Sequence, residues 1–85
     1  MTFAELIIQG RKSLNLTRSE LARRLGITPQ YAMNIERGFA IPSEDKIERL
    51  IELLDLDEKT TFKLADKIPQ RVYEQAKKEY FKGDN

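Results

Sequence analysis

Cysteine and histidine are both absent from this sequence of 85 residues. Without cysteine there is no disulfide framework and no thiolate metal site. Without histidine, the usual zinc sites, the Ser-His-Asp and Cys-His nucleophile arrangements, and imidazole acid–base work also fall away. Carboxylates remain, but nothing marks a catalytic pair. Glu44, Glu48 and Glu52 share one helix face, and a row at that spacing reads as solvated surface. The chain is therefore not expected to be an enzyme or to need a cofactor or metal. Long apolar runs are missing too, and none approaches the length of a membrane span. The opening MTFAELIIQGRK does not read as a signal peptide, because its apolar run is short and the basic residues follow it. The expectation is a soluble, cytoplasmic protein with no membrane partner. Period-two alternation is absent as well, so no strand competes with a helical reading.

The length suits one domain with a small core, which idealised helix packing or a partner subunit would have to support. The net charge of +1 hides a segregation. Residues 11–38 carry a net +4, residues 43–58 a net −5 and residues 59–85 a net +3. A basic segment followed by an acidic one suits a nucleic-acid face and an opposite face, although ordinary solvated helices would also accommodate it.

Helix punctuation is dense. Thr2 with Glu5, and Thr17 with Glu20, have the spacing of capping boxes. The first helix carries Phe3, Leu6 and Ile7, with Ile8 at the margin of the stripe, and ends near Ser13, with Asn15 as a left-handed break. The second carries Leu21, Ala22 and Leu25 and stops at Gly26. Thr28-Pro29 opens a third helix, with Ala32 and Ile35 inward and Gly38 as its end. Ser43 caps a fourth, with Ile47, Leu50, Ile51 and Leu54 as its stripe. Asp57 caps a fifth that includes Phe62, Leu64, Ala65 and Ile68. Pro69 breaks or restarts the chain. Residues 70–82 read as a last helix docked on the rest, and Gly83-Asp84-Asn85 as a frayed end. The fold class is all-α: a compact five-helix domain over residues 1–68 and a C-terminal helical extension over 69–85.

The informative stretch is LTRSELARRLGITPQYAMNIERG, residues 16–38. Two short helices joined by Gly26-Ile27-Thr28 cross steeply rather than lying side by side. Ala22 is small where they would approach, and Leu21, Leu25, Ile27 and Ile35 would lock the crossing from beneath. The third helix is left with an outer face of amide, aromatic and basic groups, which suits reading base edges.

In this register the chain resembles the lambda repressor and Cro-like helix-turn-helix proteins, the family also called xenobiotic-response-element-like. Leu21, Ala22, Leu25, Gly26, Ile27 and Ile35 occupy the family's spacing, as does the exit Glu36-Arg37-Gly38 followed by Pro42. The resemblance covers about residues 3–56 and implies double-stranded DNA as partner. It implies that Arg11 pairs with Glu36 as a structural clamp. If that pair is partly buried, breaking it should cost several times the ~0–1 kcal/mol of an exposed pair. It also implies that Thr17 and Arg18 meet the phosphate backbone or an outer base. Thr28, Gln30 and Tyr31 would lie deepest in the major groove, with Gln30 suited to adenine N6 and N7. Asn34 would read a base or hold a phosphate, and Arg37 and the Gly38 N–H would touch phosphate. Each has a plainer reading: Arg18 as a solvated helix residue, Tyr31 as a ring packed on the scaffold, Met33 as core-edge filler, Arg23 and Arg24 as solvated. Two departures bear on affinity. Pro29 replaces a frequent base-reading side chain, and the loop Phe39-Ala40-Ile41 offers no cation to the backbone, so Phe39 and Ile41 are assigned to the core edge or an interface.

Family members usually act as dimers on half-sites roughly 34 Å apart. Ile68, Val72, Tyr73, Ala76, Tyr80 and Phe81 give the candidate homodimer band. The plainer alternative is that this helix folds back on its own core. The function expected is a sequence-specific transcriptional regulator of phage or bacterial type, acting as a repressor and nucleoid-associated when bound to DNA. The alternative is a DNA-binding antitoxin that autoregulates its operon and holds a toxin through the C-terminal segment. A protein partner could also meet the acidic fourth helix, although charge matched to the helix dipole explains Glu44 and Asp45 without one.

Overall fold

The computed structural model describes residues 1–82; the expected frayed end, 83–85, lies outside the described residues. Helix α1 runs Phe3–Ser13, α2 Arg18–Leu25, α3 Pro29–Glu36, α4 Glu44–Leu54, α5 Glu58–Leu64 and α6 Gln70–Phe81. No strand occurs among the described residues.

Local chemistry sets most of these boundaries. The Thr2 hydroxyl accepts from the Glu5 N–H at 3.1 Å, and the Glu5 carboxylate accepts from the Thr2 N–H at 2.9 Å. Thr17 and Glu20 repeat the exchange at 3.1 and 3.0 Å. Each box satisfies two donors that a helix start would otherwise leave open. Thr28, Ser43 and Asp57 cap α3, α4 and α5 through the N–H groups of Tyr31, Lys46 and Thr60. These bonds hold the carboxyls of Glu5, Glu20 and Asp57 below their ordinary range, the backbone N–H donor being the larger cause in each. Asn15, Gly26, Gly38, Asp55 and Asp66 turn the chain with positive φ; the two aspartates do so at helix ends where the sequence offers no glycine.

The core joins Phe3 and Ile7 of α1, Leu21 and Leu25 of α2, Ile35 of α3, Ile47, Leu50 and Leu54 of α4, and Phe62 of α5. Full burial of side chains of this size contributes on the order of 1.5–3 kcal/mol each before chain entropy opposes it. Two contacts invisible to periodicity tie α4 beneath the basic unit. Lys46 Nζ donates to the Leu25 carbonyl at 3.1 Å and Arg49 donates to the Arg24 carbonyl at 3.2 Å. Two cations thereby satisfy carbonyls at the negative end of α2. Lys67 Nζ donates to the Pro42 carbonyl at 2.8 Å and fixes the α3–α4 loop from the far side. Gly10 of α1 lies against α4, where an added Cβ would sit 3.2 Å from Leu56 Cδ2 and 3.3 Å from two atoms of Leu54.

The C-terminal helix departs from expectation. α5 stops at Leu64, Asp66 turns the chain with φ 57°, and Ile68 is exposed rather than part of the fifth helix's inner face. α6 has no buried residue, so it is neither docked nor folded back. The radius of gyration is 15.1 Å and the long axis 53 Å, whereas a compact chain of this length would have a radius near 12 Å. The reason is visible at its root. Phe62 and Ala65 already close the core, and Pro69, itself buried, starts α6. The Gln70 N–H donates to Glu44 at 2.8 Å, and Arg71 bridges Glu48 and Glu58. The first turn is pinned to the outside of α4 and α5, and the rest leads away.

Candidate nucleic-acid interface

The α2–α3 crossing is built on Ala22, which is 1% exposed. Gly26, at φ 75°, donates to the Arg23 carbonyl, and Ile27 donates to Ala22, so the turn finishes α2 and starts α3 within three residues. Leu21, Leu25 and Ile35 are buried under the crossing, with Ile27 packed beside them. The outer face of α3 is set by what remains.

On that face Gln30 is exposed and Asn34 is half-buried one turn later. Gln30 Nε2 donates to Asn34 Oδ1 at 3.4 Å, so the two amides stand as a linked pair. Tyr31 packs part of its ring on the core, and Met33 is half-buried at the edge. The Thr28 oxygen is committed to the Tyr31 N–H at 3.0 Å. Pro29 has no N–H, and Tyr31's is taken. The start of α3 therefore offers few backbone donors, and recognition there must run through side chains.

The start of α2 differs. Thr17's own N–H goes to Glu20, so the open first-turn donors are the N–H groups of Arg18 and Ser19. Ser19 had gone unnoticed in the sequence; its position, two residues past a cap, was the available signal.

Arg11 and Glu36 are brought together. Arg11 Nε lies 2.7 Å from Glu36 Oε2 and Nη2 lies 3.2 Å from Oε1, while Nη1 donates to the Leu16 carbonyl at 2.8 Å. The Glu36 side chain is 1% exposed and Arg11's is 12%. Sequence reasoning did not anticipate a third member: Arg18 Nε donates to Glu36 Oε1 at 3.1 Å while its side chain stays 42% exposed. One buried carboxylate thus joins α1, the start of α2 and the end of α3. Two guanidinium groups around it leave a surplus positive charge at the surface, on Arg18.

One expected contact is lost. The Gly38 N–H donates to the Ile35 carbonyl at 3.1 Å, closing α3, and is not open to a phosphate. Gly38's part is conformational, at φ 80°. Arg37 is exposed beside it. Phe39 and Ile41 are 76% and 42% exposed and do not fill the core edge. Arg23 and Arg24 are exposed, as expected of solvated residues.

Two short helices crossing through a three-residue glycine turn, with an amide pair outermost on the second, define a helix-turn-helix domain. The chain belongs to the lambda repressor/Cro-like helix-turn-helix family, whose model, described as Helix-turn-helix, matches residues 7–59. That family is one of DNA-binding regulators. Over 52 residues the chain is 36% identical to the ImmF control region 10 kDa protein of Bacillus phage phi105, covering 61% of this chain and 58% of that protein. Over 63 residues it is 32% identical to the cyanate hydratase of Aquifex aeolicus (strain VF5), covering 74% of this chain and 42% of the enzyme. The chain thus spans roughly half the length of these curated relatives. No solved structure gives a significant match.

Proposed function

We propose that this protein is a sequence-specific DNA-binding transcriptional regulator of the repressor type, working as a homodimer on an inverted-repeat operator. The observation that carries this reading is the Gln30–Asn34 amide pair on the outer face of α3, flanked by exposed Arg18 and Arg37. An amide presents one donor and one acceptor side by side, the complement of adenine N7 and N6 in the major groove. Arg18, the first-turn amides of α2 and Arg37 would hold phosphates on either side, with Thr17, Thr28 and Tyr31 at the groove edge. Cytoplasmic work on the nucleoid follows from this role. Residues 1–68 would be the DNA-binding unit and 69–85 the association segment. The printed name of the phage relative, a control-region protein, accords with it. No enzymatic activity is taken from the cyanate hydratase, of which the chain covers 42%.

The test is selection from random duplex oligonucleotides with the purified protein and with Gln30→Ala/Asn34→Ala. An enriched inverted repeat that the double variant fails to enrich is the expected result. No enrichment at low salt would remove the reading. A second reading, a DNA-binding antitoxin whose C-terminal segment holds a toxin, draws on the unburied α6. It predicts an enriched site together with a partner protein that protects α6 from proteolysis.

A further inference from the structure

The two arginines on Glu36 are held by it in different ways. Arg11 commits its whole guanidinium: Nε and Nη2 donate to the Glu36 carboxylate and Nη1 to the Leu16 carbonyl. Arg18 commits only Nε, at 3.1 Å from Glu36 Oε1. Neither of its Nη groups has a partner among the described residues. That unused edge stands at the first position of α2, beside the open N–H groups of Arg18 and Ser19. A third cation of the same surface, Arg37, is exposed and enters no ion pair among the described residues. Stability alone explains little of the Arg18 contact. Arg11 already neutralises Glu36, and an ion pair with one partner this exposed contributes little.

We infer that Glu36 is a positioning residue for DNA binding: it holds Arg18 by Nε so that the Nη edge is presented, already oriented, to a phosphate at the start of α2. This deepens the DNA-binding reading and rests on it. A guanidinium is planar and has donors on more than one edge, so one edge can hold a carboxylate while another meets a phosphate. An ammonium is a point charge and cannot divide itself in that way. Glu36 is a firm anchor, because its side chain is 1% exposed and Arg11 grips both of its oxygens. Two guanidinium groups on one carboxylate leave one positive charge for the phosphate. The rotamer freedom of a long side chain is then given up on folding rather than on binding. Glu36 is also the last residue of α3, the helix that carries Gln30 and Asn34. The clamp therefore fixes the phosphate-gripping edge relative to the base-reading amides, and phosphate contacts of that kind set a protein's register on the duplex.

Two measurements test this, the first without DNA. In the free protein, NMR relaxation of the arginine Nε–H groups should find Arg18 nearly as ordered as Arg11, and Arg23, Arg24 and Arg37 mobile. The second is fluorescence anisotropy on a labelled short duplex of mixed sequence, comparing Arg18→Lys with Arg37→Lys. Both variants keep the charge and lose the fork, but only the first also releases a clamp. Arg18→Lys should therefore weaken binding about threefold to tenfold more than Arg37→Lys does, the cost of ordering one long side chain on binding. The salt slope should hold in both, because no charge is lost. The urea midpoint of Arg18→Lys should stay near that of the native protein, because Arg11 still neutralises Glu36. An Arg18 Nε–H as mobile as those of Arg23 and Arg24 overturns the inference, and so do equal losses for the two lysine variants. Equal losses with the native protein bound leave the DNA-binding reading standing. No binding of the duplex by the native protein at low salt removes that reading and the inference with it.

Discussion

The α2–α3 unit and α6 solve the same problem in opposite ways. α2 and α3 are eight residues each and α6 is twelve, yet the shorter helices are the secured ones. Both open on a side-chain cap, and each contributes three buried residues to the fold. The start of α2 and the end of α3 are locked together, and to α1, by a buried carboxylate with two arginines. α6 has no side-chain cap and nothing buried; polar contacts at its first turn attach it. Length and propensity do not make a helix stable in a fold; burial of one face does. A rigid α2–α3 unit suits a surface that must present an amide pair in one orientation. An unburied α6 suits a surface that awaits a partner.

The sharpest way to break this comparison is to remove the lock. Glu36→Ala leaves Arg11, 12% exposed, without its carboxylate, and losing one partner of a buried pair costs about 3–5 kcal/mol. That is a large part of the roughly 5–15 kcal/mol available to a small domain, so urea titration should show a protein close to unfolding. Glu58→Ala removes the corresponding carboxylate beside Arg71 on α6, where both partners are largely exposed, and the urea midpoint should barely move. Equal effects would mean that the two regions are not secured differently.

Aromatic residues extend the contrast. Phe62→Ala, at 3% exposure, should cost about 3–5 kcal/mol by emptying the core. Tyr80→Ala, at 79% exposure, should leave the unfolding midpoint of the dilute monomer unchanged and show itself only in self-association.

The arginines provide a functional version. Arg18→Ala should lower the slope of log K against log salt for DNA by about one, the signature of one lost phosphate contact. Arg11 still neutralises Glu36 in that variant, so stability should change little. Arg71→Ala, equally a paired arginine but at the root of α6, should leave the slope alone.

What the sequence made legible was local. Thr2, Thr17, Thr28, Ser43 and Asp57 all cap helices, because a cap depends on residues three apart. The core stripes were readable for the same reason. The missed contacts join distant residues: Arg18 to Glu36, Lys46 to Leu25, Lys67 to Pro42. No spacing rule announces a long cation reaching a carboxylate or carbonyl 18 to 25 residues away. The outward Gly38 N–H is an expectation carried by the resemblance alone; a helix end leaves carbonyls rather than N–H groups open, and the tight final turn of α3 closes this donor on Ile35. The misplacement of α6 has a different origin. An amphipathic pattern says that a face wants covering, not what covers it.

Acid should find the same division. The lowered carboxyls of Glu5, Glu20 and Asp57 cap α1, α2 and α5, and α6 has no such cap. A depressed folded-state pKa means stability that is complete above the ordinary values of 4.5 for glutamate and 3.8 for aspartate. It is lost as pH falls through the lowered ones. Thermal scans between pH 7 and 3 should therefore hold steady down to that window and then decline. Thr17→Ala, which removes a cap hydroxyl on α2, should shrink the decline.

The smallest effect concerns the contact of α1 with α4. Glycine inside a helix costs about 0.8–1.0 kcal/mol relative to alanine, so Gly10→Ala ought to stabilise α1. The added methyl, however, would sit 3.2 Å from Leu56 Cδ2 and 3.3 Å from Leu54 Cβ and Cδ1. Leu56 is half-buried and its far end can give way. Leu54 Cβ is fixed to the α4 backbone and can move only if α4 moves, against the close packing of Ile47 and Leu50 beneath it. Propensity and crowding then nearly cancel, and the unfolding free energy should change by less than about 0.5 kcal/mol. Gly10→Val adds two further methyl groups with no propensity gain over alanine, and overpacking of that kind costs about 1–3 kcal/mol. A full stabilisation by alanine would mean that α1 and α4 approach less closely than the Leu54 contact requires, and that the secured half of the molecule has slack where α6 has none to lose.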